Sequence, residues 1–162
     1  MTGKTHIMGG VASGLALAHF THYDPVLLTA AGALGGLIPD ICHSGSKIGR
    51  MAPLLAKIIN VLFGHRTFTH SLLFLIIVNS LIAAFLPNDS IRAGILAGMV
   101  SHIILDAGTK KGIKLFYPIK ISVRLPFTTR TGSAVEHAVF AVISVIAVYF
   151  GYEAFAGYTD LF

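Results

Sequence analysis

Long apolar segments are the feature of this sequence that most restricts its possible folds. Five can be traced, over residues 7–20, 26–39, 71–86, 91–105 and 134–152. Charged residues make up only 12% of the chain, whereas a soluble globular domain carries about 25%. A segment that crosses lipid must satisfy its backbone hydrogen bonds internally, so it forms a helix. The sequence therefore predicts an all-α, polytopic membrane bundle of about five transmembrane helices.

The length of the chain is typical of one domain. We expect a single membrane-embedded domain over residues 1–162. Several of the five segments are shorter than the roughly 20 residues that cross a bilayer, so flanking residues or local thinning of the membrane must complete the span. Three G-x-x-x-G spacings, at Gly10/Gly14, Gly32/Gly36 and Gly94/Gly98, favour close helix packing in lipid.

Positive charge is distributed very unevenly along this topology. If the N-terminus and the long loops at 40–70 and 106–133 share one side, that side holds 11 of the 12 Lys and Arg residues, and only Arg92 lies opposite. Cytoplasmic loops carry such an excess. We therefore expect a multi-pass protein of the bacterial or archaeal cytoplasmic (inner) membrane, with its N-terminus in the cytoplasm. The basic residues are not interleaved with aromatic ones in a run, so no nucleic-acid partner is expected.

Residues 50–63, R-M-A-P-L-L-A-K-I-I-N-V-L-F, form an apolar stretch that is too short and too interrupted to span. One interpretation is an in-plane helix whose Arg50 and Lys57 point toward lipid headgroups. The alternative is a short helix packed within a cytoplasmic cap.

Acidic residues and histidines lie at the cytoplasmic ends of all five predicted helices. The set consists of His6, Asp40, His43, His65, His70, His102, Asp106, Glu136 and His137. Ionisable groups in or near lipid are costly, so they tend to be functional or paired. We expect these helix ends to bring their polar side chains into one layer.

His102 and Asp106 form an H-x-x-x-D pair in the fourth segment. A spacing of four places both side chains on one helix face, which is how H-E-x-x-H presents two metal ligands. The alternative is a simple His–Asp hydrogen bond at a helix end. Together with His6, Asp40 and His70, the pair predicts a metal site. Such ligands suit zinc, and also manganese or iron.

The stretch G-H-R-T-F-T-H-S at 64–71 supplies further candidates. If the third helix starts near Thr67, Arg66 and His70 face the same way. His70 is then the preferred metal ligand and His65 the second choice. Arg66 is expected to hold an anionic substrate, because its planar guanidinium matches phosphate or carboxylate; alternatively it extends to the headgroups. Lys110 and Lys114 are expected to assist in binding the substrate.

Glu136 has two interpretations. As a catalytic residue it would orient or deprotonate a water molecule. With Ser133 as the N-cap of the fifth helix, however, the spacing S-x-x-E is that of a capping box.

Short motifs that resemble one known family are spread over nearly the whole chain. They are T-H-I-M-G-G at 5–10, L-I-P-D-I-C-H at 37–43, G-H-R-T-F-T-H-S at 64–71, S-H-I-I-L-D-A-G-T at 101–109, Y-P at 117–118, R-L-P at 124–126 and G-x-x-x-E at 132–136. Together they resemble the bacterial inner-membrane metal-dependent hydrolase family, which includes LexA-regulated members. The resemblance implies a metal-dependent hydrolase.

A fainter likeness is to zinc-dependent phospholipase C and the P1-type nucleases. These helical enzymes bind zinc through an N-terminal His, an Asp, a His and an H-x-x-x-D pair, in that order. The same order is followed here by His6, Asp40, His65 or His70, and His102 with Asp106. The chain has no Trp to supply the N-terminal ligand of those enzymes, and their later ligands have no clear match. One or two metal ions are therefore expected rather than three.

The function expected from the sequence is hydrolysis of a phosphoester or phospholipid-type substrate by a metal-activated water, at the cytoplasmic headgroup layer. Membrane lipids are the expected partners. One alternative is a transporter or metal-ion carrier, although transporters usually bind near the bilayer midplane. Another is a non-catalytic membrane adaptor whose His/Asp layer is structural.

Overall fold

The computed structural model describes the backbone of residues 1–159 and the side chains of residues 1–156, so the last three residues of the predicted domain lie outside the described part. Over this range the chain forms seven α-helices and two 3₁₀ helices. The α-helices are α1 Gly3–Phe20, α2 Pro25–Gly35, α3 Lys47–Met51, α4 Pro53–Phe63, α5 Leu72–Phe85, α6 Asp89–Ala107 and α7 Ala134–Thr159. The 3₁₀ helices are Ile38–Cys42 and Phe68–His70. Pairing between extended residues is limited here to isolated bridges, so the all-α prediction is confirmed.

The centre of the bundle is built from α1, α2 and α6, with α7 packed along α1. Glycines make this contact close. A Cβ atom at Gly14 would lie 2.6 Å from the carbonyl oxygen of Leu28, and one at Gly94 would lie 2.7 Å from the same oxygen. Any larger residue at these two positions would force the helices apart, as the G-x-x-x-G spacings predict.

The start of α5 differs from the predicted start near Thr67. Residues 68–70 form a separate 3₁₀ turn, and α5 begins at Leu72 with the hydroxyl of Ser71 accepting a hydrogen bond from Phe74 N. The prediction was wrong because Ser71 is extended (φ −111°, ψ 159°) and separates the 3₁₀ turn from α5, while Arg66 has a φ of 60°, outside the right-handed helical region. Arg66 and His70 therefore do not share a helix face.

The two long loops differ from each other. Most of the 40–70 loop is helical, since it holds the end of the first 3₁₀ helix and all of α3 and α4. The 108–133 segment has no helix, and backbone hydrogen bonds between Ile113 and Val123 (N–O distances of 3.1 and 2.8 Å) hold it together. The C-terminus of α6 and the N-terminus of α7 are thus joined by an ordered, non-helical connection.

Three stretches of the described chain are long and apolar enough to cross a membrane: Pro25–Cys42, Asp89–Ala107 and Ala134–Ala156. The predicted third span is shorter, because α5 has 14 residues and a helix of that length is about 21 Å long. The hydrocarbon core is about 30 Å thick. Transmembrane helices are therefore supported, while the count of about five spans stays a prediction.

Candidate metal centre

Four side chains from three elements converge beneath the end of α6. Their potential ligand atoms all lie within 4.8 Å of one another, and the four are Asp40, His70, His102 and Asp106. His102 and Asp106 are one turn apart on α6, as the H-x-x-x-D spacing predicts, whereas Asp40 and His70 come from the two 3₁₀ helices. The side chains of His70 and His102 are fully buried, and Asp40 alone keeps 15% of its surface exposed.

The separations suit a shared cation. Asp106 Oδ2 lies 3.3 Å from His70 Nε2 and 3.8 Å from His102 Nε2. Asp40 Oδ1 lies 3.9 and 3.8 Å from the same two nitrogens. Zinc–nitrogen bonds of about 2.0–2.1 Å place two ligands of one tetrahedral ion about 3.3 Å apart. Small side-chain movements would bring all four donor atoms to that distance.

Hydrogen bonds on the outer nitrogens assign the histidine tautomers. His102 Nδ1 lies 2.7 Å from the carbonyl oxygen of Gly36, which can only accept, so this nitrogen carries the proton. His70 Nδ1 lies 3.1 Å from Thr69 Oγ1, whose own hydrogen goes to Cys42 Sγ. In both neutral rings Nε2 then has a bare lone pair, and the two Nε2 atoms are 3.1 Å apart. Lone pairs at this distance repel unless a cation or a proton lies between them.

A proton competes with a metal ion for this position. Burial acts against the charged form of His70, but its interactions with Asp106 and Cys42 outweigh burial and raise the pKa of His70 above the ordinary value. Asp106 and Cys42 thus favour positive charge at His70.

The two oxygens of Asp106 share Arg66 as a neighbour and otherwise contact different groups. Oδ1 lies 3.3 Å from His6 Nε2, accepts a hydrogen bond of 3.0 Å from Arg66 Nη2 and contacts the amino group of Met1. Oδ2 is buried and accepts no well-directed hydrogen bond, but it lies 3.0 Å from Arg66 Nη2 and, on the cluster side, 3.3 Å from His70 Nε2. The Arg66 guanidinium compensates part of the buried charge, and Oδ2 also faces the Nε2 atoms of His70 and His102 at 3.3 and 3.8 Å, so the donor set fits a divalent metal.

His6, predicted as a ligand, lies next to the four-residue cluster but outside it. Its ring stacks on that of His102 with centroids 3.6 Å apart, and both of its buried nitrogens lack a hydrogen-bond partner. With Asp106 Oδ1, His6 offers a second pair of donor atoms. These atoms are the structural basis for considering a second ion.

Of the two histidines in G-H-R-T-F-T-H-S, only His70 belongs to the cluster. His65 is exposed at the rim, where Nδ1 lies 3.3 Å from Cys42 Sγ and the ring lies beside that of His43. Cys42 and Thr69, which sequence reasoning did not assign to the site, therefore connect the rim histidine to the buried one.

The carboxylate of Glu136 lies outside the cluster and is occupied by hydrogen bonds. Oε1 accepts from Thr2 N at 2.5 Å and from Thr5 Oγ1 at 2.7 Å, and Oε2 accepts from Gly132 N at 2.6 Å. Ser133 Oγ in turn accepts from Glu136 N at 3.4 Å. Ser133 thus provides one half of the predicted capping box, whereas the Glu136 carboxylate binds Gly132 N instead of Ser133 N. Its bonds to Thr2 and Thr5 tie the start of the chain to the start of α7.

A basic cavity of about 530 Å³ opens above the cluster. Its cationic side chains are Arg66, Lys110, Lys111 and Arg130, and Asp40 is the only acid among the described residues that line it. Lys114, predicted as a substrate residue, lines a neighbouring cavity and donates to the Lys120 carbonyl at 3.1 Å. Sequence reasoning missed Lys111, which adjoins the predicted Lys110, and Arg130, for which the sequence offers no local signal.

Known proteins resemble this chain over nearly its whole length. Residues 1–158 match the family model described as YdjM inner membrane protein. The chain is 53% identical to the uncharacterized protein YvsG of Bacillus subtilis (strain 168) over 157 residues, which cover 97% of this chain and 98% of that protein. It is 31% identical over 166 residues to inner membrane protein YdjM of Escherichia coli (strain K12), with 92% of this chain and 82% of that protein covered. No solved structure matches the chain.

These matches support the coarser part of the predicted resemblance, a bacterial inner-membrane family. The descriptions of the relatives name no hydrolase activity and no metal, and the likeness to phospholipase C and P1-type nucleases is not among the matches. The length of the match and the three apolar stretches of membrane-spanning length lead to one conclusion: the chain belongs to the YdjM inner membrane protein family.

Proposed function

We propose that this protein is a membrane-embedded, metal-dependent hydrolase that acts on a phosphoester at the cytoplasmic headgroup layer. The facing Nε2 atoms of His70 and His102, 3.1 Å apart with both outer nitrogens engaged, carry the proposal. Two carboxylates complete the donor set, and such sets are used by hydrolytic metal centres.

Asp40, His70, His102 and Asp106 would hold the ion. Zinc suits imidazole and carboxylate ligands, and manganese or iron is also compatible with them. A second ion would take His6 Nε2 and Asp106 Oδ1 as donors in place of the Met1 amino group. When bound, the metal would supply the Lewis acidity that activates a water molecule for attack on phosphorus.

The substrate phosphate would be held by the chain's own cations. Arg66 is fixed by a 2.6 Å hydrogen bond from Nη1 to Thr109 Oγ1 and by its bond from Nη2 to Asp106, so its guanidinium is oriented before substrate arrives. Its buried Nε has no hydrogen-bond partner. Lys110 and Lys111 on the cavity wall add positive charge, and the cluster of cations favours an anionic group at this position.

The asymmetry of charge supports placing the N-terminus and the site on the cytoplasmic face of a multi-pass protein. Eleven of the 12 Lys and Arg residues lie in the segments that would share that face. The anionic lipids of the cytoplasmic leaflet would concentrate there. The basic cavity would then open among lipid headgroups.

Metal analysis of the purified protein tests the proposal. We expect wild type, purified without chelator, to retain one or two equivalents of zinc, manganese or iron, and His102→Ala to retain almost none. His22→Ala is the matched control, because His22 is an exposed histidine beyond the far end of α1. The same preparations would be assayed with a water-soluble phosphomonoester and with phosphatidic acid in vesicles.

Two results would overturn the proposal. Wild type that neither retains a divalent metal nor takes one up on titration has no metal centre. Wild type that binds metal but hydrolyses no phosphoester fits a metal-ion carrier instead.

A further inference from the structure

A second, mainly apolar cavity lies between α6 and α7. Its volume is about 260 Å³, and its apolar walls are formed by Ile104, Leu105, Leu125, Phe127, Val135 and Val139. We call this cavity the α6–α7 groove. The proposed hydrolysis does not use it.

The α6–α7 groove adjoins the basic cavity. Met1 and Thr129 line both, and the amino group of Met1 contacts Asp106 of the metal cluster. A molecule with an anionic head in the basic cavity would therefore meet an apolar channel on its other side. This arrangement matches a molecule that is charged at one end and aliphatic at the other.

The groove opens toward the outside of the bundle. Ile104 is 54% exposed, Val135 59% and Phe127 90%. The helices α6 and α7 both belong to stretches of membrane-spanning length, so their outward side chains meet acyl chains in a bilayer. The opening is therefore lateral, toward lipid.

Residues 116–127, next to the groove, form a segment with the composition of an interfacial element. Its exposed large apolar side chains are Phe116, Ile119, Ile121, Leu125 and Phe127. Lys120 and Arg124 are exposed between them. Apolar groups interleaved with cations are typical of segments that lie at the headgroup boundary. This position would hold the mouth of the groove at the depth where acyl chains begin.

We propose that the α6–α7 groove binds the first part of an acyl chain and that the substrate is an anionic lipid phosphate. The lipid enters sideways from the bilayer, its phosphate reaches Arg66 and Lys110, and its chain lies along Leu105 and Val139. The reaction in this statement rests on the proposed function, whereas the binding does not. Because lipid tails are as apolar as the groove walls, the acyl chain gains little affinity by leaving the bilayer. The groove acts instead by aligning the lipid so that its phosphate reaches the basic cavity.

Photo-crosslinking tests the binding. The probe is phosphatidic acid with a diazirine on an acyl carbon near the glycerol, mixed into phosphatidylcholine proteoliposomes that contain the full chain. We expect wild type to be labelled at residues of the groove. Val139→Phe fills the groove and should lower this labelling at least about tenfold, by analogy with one misfitted side chain in an apolar pocket. Val145→Phe is the matched control, since Val145 is an exposed valine of α7 outside the groove.

Hydrolysis provides the second readout. Val139→Phe should lower kcat/KM for phosphatidic acid while leaving that for glycerol 3-phosphate unchanged. If labelling falls outside the groove, or is equal in Val139→Phe and Val145→Phe, the inference is overturned even when the protein is a hydrolase. If wild type is labelled in the groove, and the label is lost in Val139→Phe, without hydrolysis of either compound, lipid binding stands and the proposed reaction fails.

Discussion

At the scale of single residues, the hydrogen-bond partners of the outer ring nitrogens decide which histidine nitrogen faces the centre of the cluster. The carbonyl oxygen of Gly36 accepts a hydrogen bond from His102 Nδ1 at 2.7 Å, and Thr69 Oγ1 accepts one from His70 Nδ1 at 3.1 Å. Such partners fix the ring and the tautomer, and their loss usually weakens metal binding without dismantling the site. Thr69 is buried, so solvent does not replace it.

Thr69→Val should therefore weaken zinc binding by about 10–100-fold, the range found for partners of metal ligands. Valine has nearly the same shape as threonine but cannot accept a hydrogen bond from His70 Nδ1. Competition with a chromophoric chelator would measure the affinity. Thr29→Val is the control, since Thr29 bonds only to the Pro25 carbonyl within α2 among the contacts described here. Equal zinc affinity in the two variants would contradict the assigned tautomer.

At the scale of helices, Glu136 connects the first turn of α1 to the first turn of α7. Its carboxylate accepts hydrogen bonds from Thr2, Thr5 and Gly132. The N-terminal segment held in this way carries Met1, whose amino group contacts Asp106. The capping contact thus positions one wall of the site.

Glu136→Gln should lower the free energy of unfolding by about 1–3 kcal/mol, because bonds from two backbone N–H groups lose their charged acceptor. Thermal unfolding in detergent would measure the change, and the metal content should stay that of wild type. Glu153→Gln is the control, since Glu153 is a more exposed acid of the same helix, 3.9 Å from His19. A loss of hydrolysis above about 100-fold with unchanged stability would instead support the catalytic interpretation.

At the scale of the whole molecule, charge and polarity divide the bundle into two ends. The cluster, the basic cavity and the exposed interfacial segment lie at one end, where the N-termini of α1 and α7 meet the C-terminus of α6. The first turn of α6, with Asp89 and Arg92, lies at the other end of that helix. This division predicts the orientation in the membrane.

Cysteine accessibility in intact cells would test that orientation. Lys120→Cys should react with a membrane-impermeant maleimide only after permeabilisation, whereas Asp89→Cys should react in intact cells. Both parent residues are exposed, and the native Cys42 is buried, so unmodified protein supplies the background. Labelling with the reverse preference would place the metal cluster outside the cytoplasm.

The sequence by itself determined what depends on neighbouring residues. Apolar segments predicted the five main helices, although α7 extends to Thr159, beyond the predicted end at 152. The i, i+4 spacing placed His102 and Asp106 on one face, because helical periodicity is local. Only the tertiary structure decided what depends on distant segments. In the folded chain His70 belongs to the cluster and His65 does not. The Glu136 carboxylate accepts hydrogen bonds from the N-terminal segment, and Arg130 lines the basic cavity. The positive φ of Arg66 and the packing of separate helices set those positions, and neither has a periodic signal in the chain.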